Sequence, residues 1–344
     1  MTDGDASHAA HAGTPRMKAA HYDRYGPPEV VQIREVERPT PSADQVLVRV
    51  RAASVNRADL DGLKPKPGFM RLFMGLRAPR NPEIGTDAAG VVEAVGPDAT
   101  RFKPGDEVMT DLFAAGRFGA FAEYVCAREK AFEPIPTGMS FEAAAPLPHA
   151  AVLALQGMRL RNGRTFNPGD QVLIDGASGN VGPFAVQIAK AMGAEVTGVA
   201  SGDKLDFVRS LGADHVIDYR TVDYTKAGER YDWIVAVDAH HSIRAARRVL
   251  KPNGVYLTMG GDTGTIFAAM GGLAMSRFGD KWSGLMLWWK PMNRPDVDTL
   301  KEMIAAGTLR PVIDRRFSLD QVVDALRWVE DGRPRGKVVI SMDA

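Results

Sequence analysis

The chain has 344 residues, 45% of them hydrophobic and 25% charged, a balance that builds a sizeable core and leaves room for two domains. Its 43 Lys and Arg against 42 Asp and Glu leave a formal charge of +1, so no global field recruits nucleic acid or an anionic membrane. A single cysteine, Cys126, excludes internal disulfides and fits a reducing, cytoplasmic compartment.

Residues 1–16 are rich in Ala, His, Gly and Asp, carry no apolar signal-peptide core and read as a disordered leader, with Met17 a candidate start. From Met17 to about Thr137 the chain is β-rich. Gln45-Val-Leu-Val-Arg-Val-Arg51 alternates with period two, the pattern of a half-buried strand. Gly90-Val-Val-Glu-Ala-Val-Gly96 is a second strand, and Lys103-Pro-Gly-Asp106 turns the chain into Glu107-Val-Met109. Cys126 packs as a small apolar residue in the segment Ala122 to Ala127. Short strands with few long helices predict a small barrel or rolled sheet.

From Ser140 the period changes. Phe141 to Arg161 reads as helix, interrupted near Pro146 and Pro148. Asn167-Pro-Gly-Asp170 then turns into Gln171-Val-Leu-Ile-Asp-Gly-Ala-Ser-Gly-Asn-Val-Gly182, where Val172 to Ile174 form a buried parallel strand. Gly176, Gly179 and Gly182 recur every three residues. Pro183 suits a helix start, Ala185, Ile188 and Met192 keep helical spacing, and Gly193 stops the helix. With a second strand at Glu195 to Ala200 this makes one βαβ unit. Its glycine turn lets backbone amides and the positive helix end meet a pyrophosphate, although the spacing is GxxGxxG rather than GxGxxG.

Strand and helix go on alternating through His215–Asp218, Trp233–Val237, Ile243–Leu250 and Gly254–Met259, which implies a parallel, doubly wound sheet. A helix at Val297–Ala306 is followed by strands at Pro311–Phe317 and Lys337–Ile340 around a helix from Leu319 to Glu330. Those last strands suit the N-terminal β domain. The expected division is therefore a leader 1–16, a discontinuous substrate domain 17–138 plus 309–344, and an inserted dinucleotide domain 139–308.

The most apolar region, Ile266 to Trp289, is broken by Arg277, Asp280, Lys281 and several glycines, so no segment spans a membrane. Gly264–Lys290 reads as a substrate lid, a dimer contact or a membrane-touching helix, with burial in the fold or a homodimer as the default. Trp282, Trp288 and Trp289 offer apolar walls for a substrate.

Ser54-Val-Asn-Arg-Ala-Asp59, Gly85-Thr-Asp-Ala-Ala-Gly90, Phe102-Lys-Pro-Gly-Asp-Glu-Val108 and the glycine turn follow one another in the order seen in medium-chain dehydrogenases/reductases. The chain resembles that superfamily over nearly its whole length. Arg310-Pro-Val-Ile-Asp-Arg-Arg-Phe317 and Gly336-Lys-Val-Val-Ile340 are similar to its zinc-free, quinone oxidoreductase-like (zeta-crystallin-like) branch. The resemblance implies an α/β fold, with a Rossmann doubly wound parallel sheet domain inserted in a GroES-like β-barrel domain. It also implies an NAD(P)-dependent oxidoreductase acting on a quinone or an α,β-unsaturated carbonyl.

Zinc-dependent relatives carry Gly-His-Glu where this chain has Gly85-Thr86-Asp87, and one cysteine cannot build a four-Cys structural site. No metal is expected, and Asp87 reads as a structural hydrogen-bonding residue. The end of the second strand, Gly198-Val-Ala-Ser-Gly-Asp-Lys204, has no acid for a ribose 2′-hydroxyl. Ser201, Lys204 and Tyr219 match positions that bind the 2′-phosphate end of the cofactor in NADPH-dependent relatives, so NADPH is the expected cofactor. Asp203 opposes this, and Ser201 as a plain N-cap with Lys204 solvated is the competing reading. Gly176, Ser178, Gly179, Asn180, Val181, Gly182, Gly260 and Lys337 complete the expected cofactor-binding set.

In similar proteins the equivalent of Asn56 lies beside the nicotinamide and the substrate carbonyl, where its amide polarises an oxygen; a loop-stabilising Asn with a helix-capping Asp59 is the alternative. His149, between Pro148 and Ala150, reads as structural. His240 or His241, in Asp238-Ala-His-His-Ser242, is a candidate proton donor near the nicotinamide ribose. The expected activity is metal-free, NADPH-dependent hydride transfer to a small apolar quinone or enone. The alternatives are an alcohol dehydrogenase of the same superfamily and a nucleotide-binding scaffold without turnover.

Overall fold

Alternating and continuous apolar runs separate the strands of this chain into two kinds, and a computed structural model places them in different sheets. It describes residues 15–65, 68, 71–238, 241–260, 263–276 and 279–342. Residues 1–14 of the expected leader, and His240, lie outside the described residues.

The first strand, β1 (Arg16–His21), pairs antiparallel with β2 (Gln32–Glu37). Arg16 faces Glu37 there, so strand begins one residue inside the segment expected to be leader. β3 (Gln45–Val55) runs well past the expected Arg51, because Ala52, Ala53 and Ser54 remain buried between neighbouring strands. It leads into α1 (Arg57–Leu63) and α2 (Arg71–Met74), then β4 (Asp87–Val95), β5 (Glu107–Asp111), β6 (Tyr124–Arg128) and β7 (Phe132–Pro134). Both β4 and β6 pair antiparallel with β3, which curls this sheet.

The segment after Ser140 is not one helix. It divides into α3 (Phe141–Ala144), one turn of π-helix over Leu147–Ala151 and α4 (Val152–Gly157). Pro146 and Pro148 each lack the amide that a continuous α-helical ladder would use. A wide turn of this kind is common where a side chain has to be re-aimed.

The βαβ unit follows as β8 (Gln171–Asp175), α5 (Gly182–Ala191) and β9 (Glu195–Ala200). The alternation continues through α6 (Leu205–Ser210), β10 (His215–Asp218), β11 (Tyr231–Ala236), α7 (Ile243–Arg248) and β12 (Leu250–Thr258). The poorly readable region resolves into α8 (Thr263–Met275) and β13 (Trp282–Leu285), an edge strand beside β12. The six strands are parallel in the order β10-β9-β8-β11-β12-β13, which counted from β8 is the doubly wound 3-2-1-4-5-6. Val172 and Ile174 pack into one apolar cluster and Leu173 into another, so β8 is covered on both faces, as its unbroken apolar run requires.

The tail forms α9 (Arg294–Ala305), β14 (Ile313–Ser318), α10 (Val322–Glu330) and β15 (Lys337–Ser341). β15 pairs antiparallel with β3 and parallel with β14, giving the order β14-β15-β3-β4-β5-β7. Lys337, the first residue of β15, is thereby set between the end of β3 and the glycine turn after β8. No helix among the described residues is long and apolar enough to cross a membrane.

Candidate active site

The glycine turn sits where the strand order reverses, between β8 and β11, the place where doubly wound sheets open a ligand crevice. Gly176 has φ +89°, and a Cβ there would meet Asp238 at 3.0 Å. A Cβ on Gly182 would lie 2.1 Å from the Gly176 carbonyl oxygen. Both positions therefore exclude any side chain, and α5 begins with no side chain capping its first amides. The positive end of the helix favours an anion there, although Pro183 has no amide and Gly182 N and Phe184 N already donate to Gly179 O at 3.0 Å and Val181 O at 3.1 Å. The tail holds the turn from outside: Gly336 N donates to Ser178 O at 2.9 Å, and Asn180 N donates to Gly336 O at 3.3 Å. Gly179 faces Gly336 directly, and Val181 is buried beneath the turn. Gly260 follows β12 and accepts a 2.7 Å hydrogen bond from the Thr258 hydroxyl.

At the end of β9, Ser201 and Lys204 are buried and Tyr219 is about half exposed. Lys204 is not solvated: its Nζ donates to Gly332 O at 2.6 Å and to Pro334 O at 3.0 Å, tying this end of the sheet to the tail. Two of its three donors are thus used and one is left. Asp203, which should repel a phosphate, is offset by Arg220 at 3.5 Å and Arg335 at 3.7 Å. Hydrogen bonding from Ser201 leads the effects that hold its carboxyl below the usual range. Sequence reading missed both arginines. Arg220 directly follows Tyr219 and could have been found, whereas Arg335 arrives from the distant tail.

The second part of the site is a fully buried polar seam. Lys337 Nζ donates to Asn180 Oδ1 at 2.7 Å, Asn56 Oδ1 at 2.6 Å and Val55 O at 3.1 Å. The Asn56 amide donates to Asp87 Oδ2 at 2.9 Å and Thr86 Oγ1 at 3.1 Å, while its backbone N–H donates to Asp59 Oδ2 at 2.7 Å. Asn56 is 0% exposed and every polar atom of its side chain is engaged. Both donors of the side-chain amide expected to polarise a substrate oxygen are engaged within the seam, where Asn56 joins Lys337 to Asp87.

The charges of the seam are shaped by burial. Burial pushes the Asp59 carboxyl up to about 7, against a backbone hydrogen bond from Asn56 and the Lys337 charge. It lowers Lys337 to about 8 despite attraction from Asp87, Asp59 and Asp111. Burial and the neighbouring Asp111 charge hold Asp87 well above the usual carboxylate range. The same burial leaves one oxygen each of Asp59 and Asp87 without a partner.

Asp111 faces Asp87 across the β4–β5 pair and carries the third feature. Its Oδ2 lies 3.0 Å from His149 Nδ1, and its Oδ1 accepts from Phe113 N at 2.9 Å. The π-helical turn presents His149, 7% exposed, edge-on to Trp289 at 4.8 Å between ring centres. Trp289 stacks on Phe113 at 5.3 Å, and Phe113 is 45% exposed. Trp288 meets Trp282 edge-on at 6.0 Å. Of the other histidines considered, His241 lies 3.7 Å from Asp223 and packs on Tyr224, away from this seam, and His240 is outside the described residues.

Asp87, Asp111 and His149 are a cluster whose ligand atoms lie within 4.8 Å of one another. They do not fit a zinc ion, whose ligands sit about 2.0–2.2 Å from the metal. His149 Nδ1 and Asp111 Oδ2 already bond each other, Asp111 Oδ1 holds the Phe113 amide, and Asp87 Oδ2 holds Asn56. Lys337 already supplies a cation to the three surrounding carboxylates.

Two family models match the chain: the alcohol dehydrogenase GroES-like domain over residues 42–137 and the zinc-binding dehydrogenase over residues 211–340. The chain is 32% identical over 337 residues to the chloroplastic quinone-oxidoreductase QR1 of Triphysaria versicolor, covering 94% of this chain and 98% of that protein. It is 31% identical over 342 residues to the chloroplastic NADPH-dependent alkenal/one oxidoreductase of Arabidopsis thaliana, covering 96% and 81%. The solved quinone oxidoreductase of Coxiella burnetii matches its fold with a TM-score of 0.84 at 28% identity, covering 95% of this chain and 100% of that one.

Proposed function

The chain belongs to the medium-chain dehydrogenases/reductases, in their quinone oxidoreductase-like branch, and within that family we propose that it moves a hydride from NADPH to a quinone or an α,β-unsaturated carbonyl. It is an NAD(P)-dependent oxidoreductase with a GroES-like domain and a Rossmann domain. We take residues 17–138 with 309–344 as the first of these and 139–308 as the second, a division supported by the pairing of β15 with β3.

One observation carries the functional reading. Lys337 bonds both Asn180 of the glycine turn and Asn56 at the end of β3, so the cofactor turn and the polar seam form one rigid unit. A bound nicotinamide dinucleotide would supply the hydride. The Gly176–Gly182 turn, at the positive end of α5, would hold its pyrophosphate. Lys204, with one donor to spare, and the Arg220 and Arg335 guanidiniums would suit a 2′-phosphate, and they support the reading of NADPH over NADH. The Trp289–Phe113 stack offers a flat apolar wall for a conjugated substrate, and exclusion of water behind it strengthens every polar contact in the seam.

The edge strand β13 has no partner on its outer side among the described residues, and we propose that a second copy covers it in a homodimer. The buried lone Cys126 suits a reducing, cytoplasmic setting.

The test is a panel of a quinone, an enone and a simple primary alcohol with NADPH, NADH and their oxidised forms. Turnover of the first two with NADPH is expected. Efficient oxidation of the alcohol alone would make the protein an alcohol dehydrogenase, and cofactor binding with no turnover would make it a scaffold.

A further inference from the structure

Reduction of a conjugated carbonyl leaves a negative charge that must be quenched by a proton, and Asn56 has no donor left to give. The pair of His149 and Asp111 is a buried titratable group with a free edge. We propose that His149, oriented by Asp111, donates this proton from Nε2. This rests on the reductase reading above.

The geometry fixes which nitrogen does what. Nδ1 faces the Asp111 carboxylate at 3.0 Å, so the proton on Nδ1 is held and Nε2 points from the opposite edge of the ring. Among the described residues Nε2 has no hydrogen-bond partner. A carboxylate behind an imidazole fixes its tautomer and supports the charge of the doubly protonated ring. Asp111 is itself fixed, since its other oxygen holds the Phe113 amide. The residue that orients the imidazole therefore also sets the start of the aromatic wall against which a flat substrate would lie.

The charged neighbours are few. Asp111 comes from β5, Asp87 from β4, Asp59 from α1 and Lys337 from β15. Of the helices packed on the π-turn, α3 has Glu142 bound to Arg316, and α5 has Lys190 bound to Asp214. The charge nearest the ring is thus the Asp111 carboxylate against Nδ1.

The step balances simply. Hydride and its electron pair, drawn from the reduced nicotinamide, add to the β-carbon of an enone or to a quinone, breaking one π bond. The resulting enolate or hydroquinone anion takes the proton as the His149 Nε2–H bond breaks and a C–H or O–H bond forms. The imidazole is left neutral, keeping its Nδ1–H hydrogen-bonded to the Asp111 carboxylate, and water returns a proton to Nε2.

Three measurements test this. In the cofactor-free protein, nitrogen–proton NMR of the imidazole should show an Nδ1–H held by a carboxylate, shifted downfield and lost in Asp111→Asn. A wild-type ring with no proton on Nδ1, or an unchanged signal in the variant, overturns the proposal. For the enone, His149→Ala should lower kcat by roughly 10²- to 10⁴-fold with cofactor affinity within twofold, and added imidazole should restore at least tenfold. Wild-type kcat in that variant, or a loss that imidazole does not rescue while the variant stays folded, overturns it. Finally, one equivalent of zinc should leave the imidazole signals unmoved, and stoichiometric zinc on His149 would make the cluster a metal site and defeat the proton-donor role. Failure of the wild type on the whole substrate panel would instead sink the reductase reading, so the two failures are distinguishable.

Discussion

Lys337 Nζ lies 2.7 Å from Asn180 Oδ1, across 157 positions of sequence, and its ammonium is spent entirely on that contact and two others in the buried seam. Both residues are needed to keep the glycine turn in register with the end of β3. A lysine so placed resembles a keystone more than a ligand-binding surface group.

Lys337→Met should therefore be strongly destabilising. It removes the positive charge that acts on both Asp59 and Asp87 and leaves those buried carboxyls without it. Losing one side of a buried charge network costs about 3–5 kcal/mol. Thermal unfolding should show a Tm lower by several degrees, with cofactor affinity reduced in parallel. A variant as stable as the wild type would mean that the seam does not tie the two sheets together.

Cofactor selectivity should separate two kinds of residue at the end of β9. Arg220→Ala should weaken NADPH binding while leaving NADH binding and Tm unchanged, because Arg220 is exposed and bonds only at the surface. Lys204→Ala should weaken NADPH by roughly ten- to a hundredfold, the equivalent of about 1.5–3 kcal/mol for a charged hydrogen bond. It should also lower Tm, since the tie to Gly332 and Pro334 is lost. Isothermal titration with both cofactors, beside a thermal melt, checks this. Equal losses for NADPH and NADH would assign Lys204 to the fold alone.

Stability should fall as pH rises toward neutrality, through Asp59. Burial raises its folded-state value to about 7, whereas in an unfolded chain it titrates near 4. Between roughly pH 4 and 7 the folded state holds the extra proton, so its contribution is complete below that window and lost as pH climbs through it. Lys337, lowered to about 8, acts above: the unfolded chain binds more protons between about 8 and 10.4, and stability recovers as pH rises there. Asp59→Asn keeps an oxygen for the Asn56 backbone N–H and should flatten the lower limb. Denaturant midpoints at pH 5 and 7 decide it; identical slopes in variant and wild type would exclude Asp59 as the source.

The aromatic wall should matter for flat substrates. Trp289→Ser removes a stack with Phe113 and an edge contact with His149, interactions worth about 0.5–1.5 kcal/mol beyond burial. KM for an aromatic quinone should rise by roughly three- to tenfold, with NADPH binding unaltered. An unchanged KM, accompanied by loss of liposome binding, would instead assign the segment to a membrane surface.

Much of the architecture was legible in residues close together in the chain. The apolar run Val172–Ile174, the glycines at three-residue spacing and the alternation at Gln45–Arg51 are local patterns, and secondary structure is set by such periodicity. Gly176 and Gly182 announced a crowded turn, and the structure has no space for a Cβ at either. The region Gly264–Lys290 resisted reading because its apolar residues keep neither helical nor strand spacing, yet it contributes α8 and the edge strand β13.

The chemistry of the seam was decided only in three dimensions. Nothing local to Asn56 shows that Lys337, 281 positions away, occupies its oxygen, or that Asp87, 31 positions away, takes its amide. His149 looked like a structural residue because its partner Asp111 is 38 positions earlier and its aromatic neighbour Trp289 lies far beyond it. A sequence by itself determines which segments become strand, turn and helix, since that choice depends on near neighbours and on which face is apolar. Which polar groups are buried together, and so which protons and charges they hold, depends on contacts between distant strands, and only the folded chain settles it.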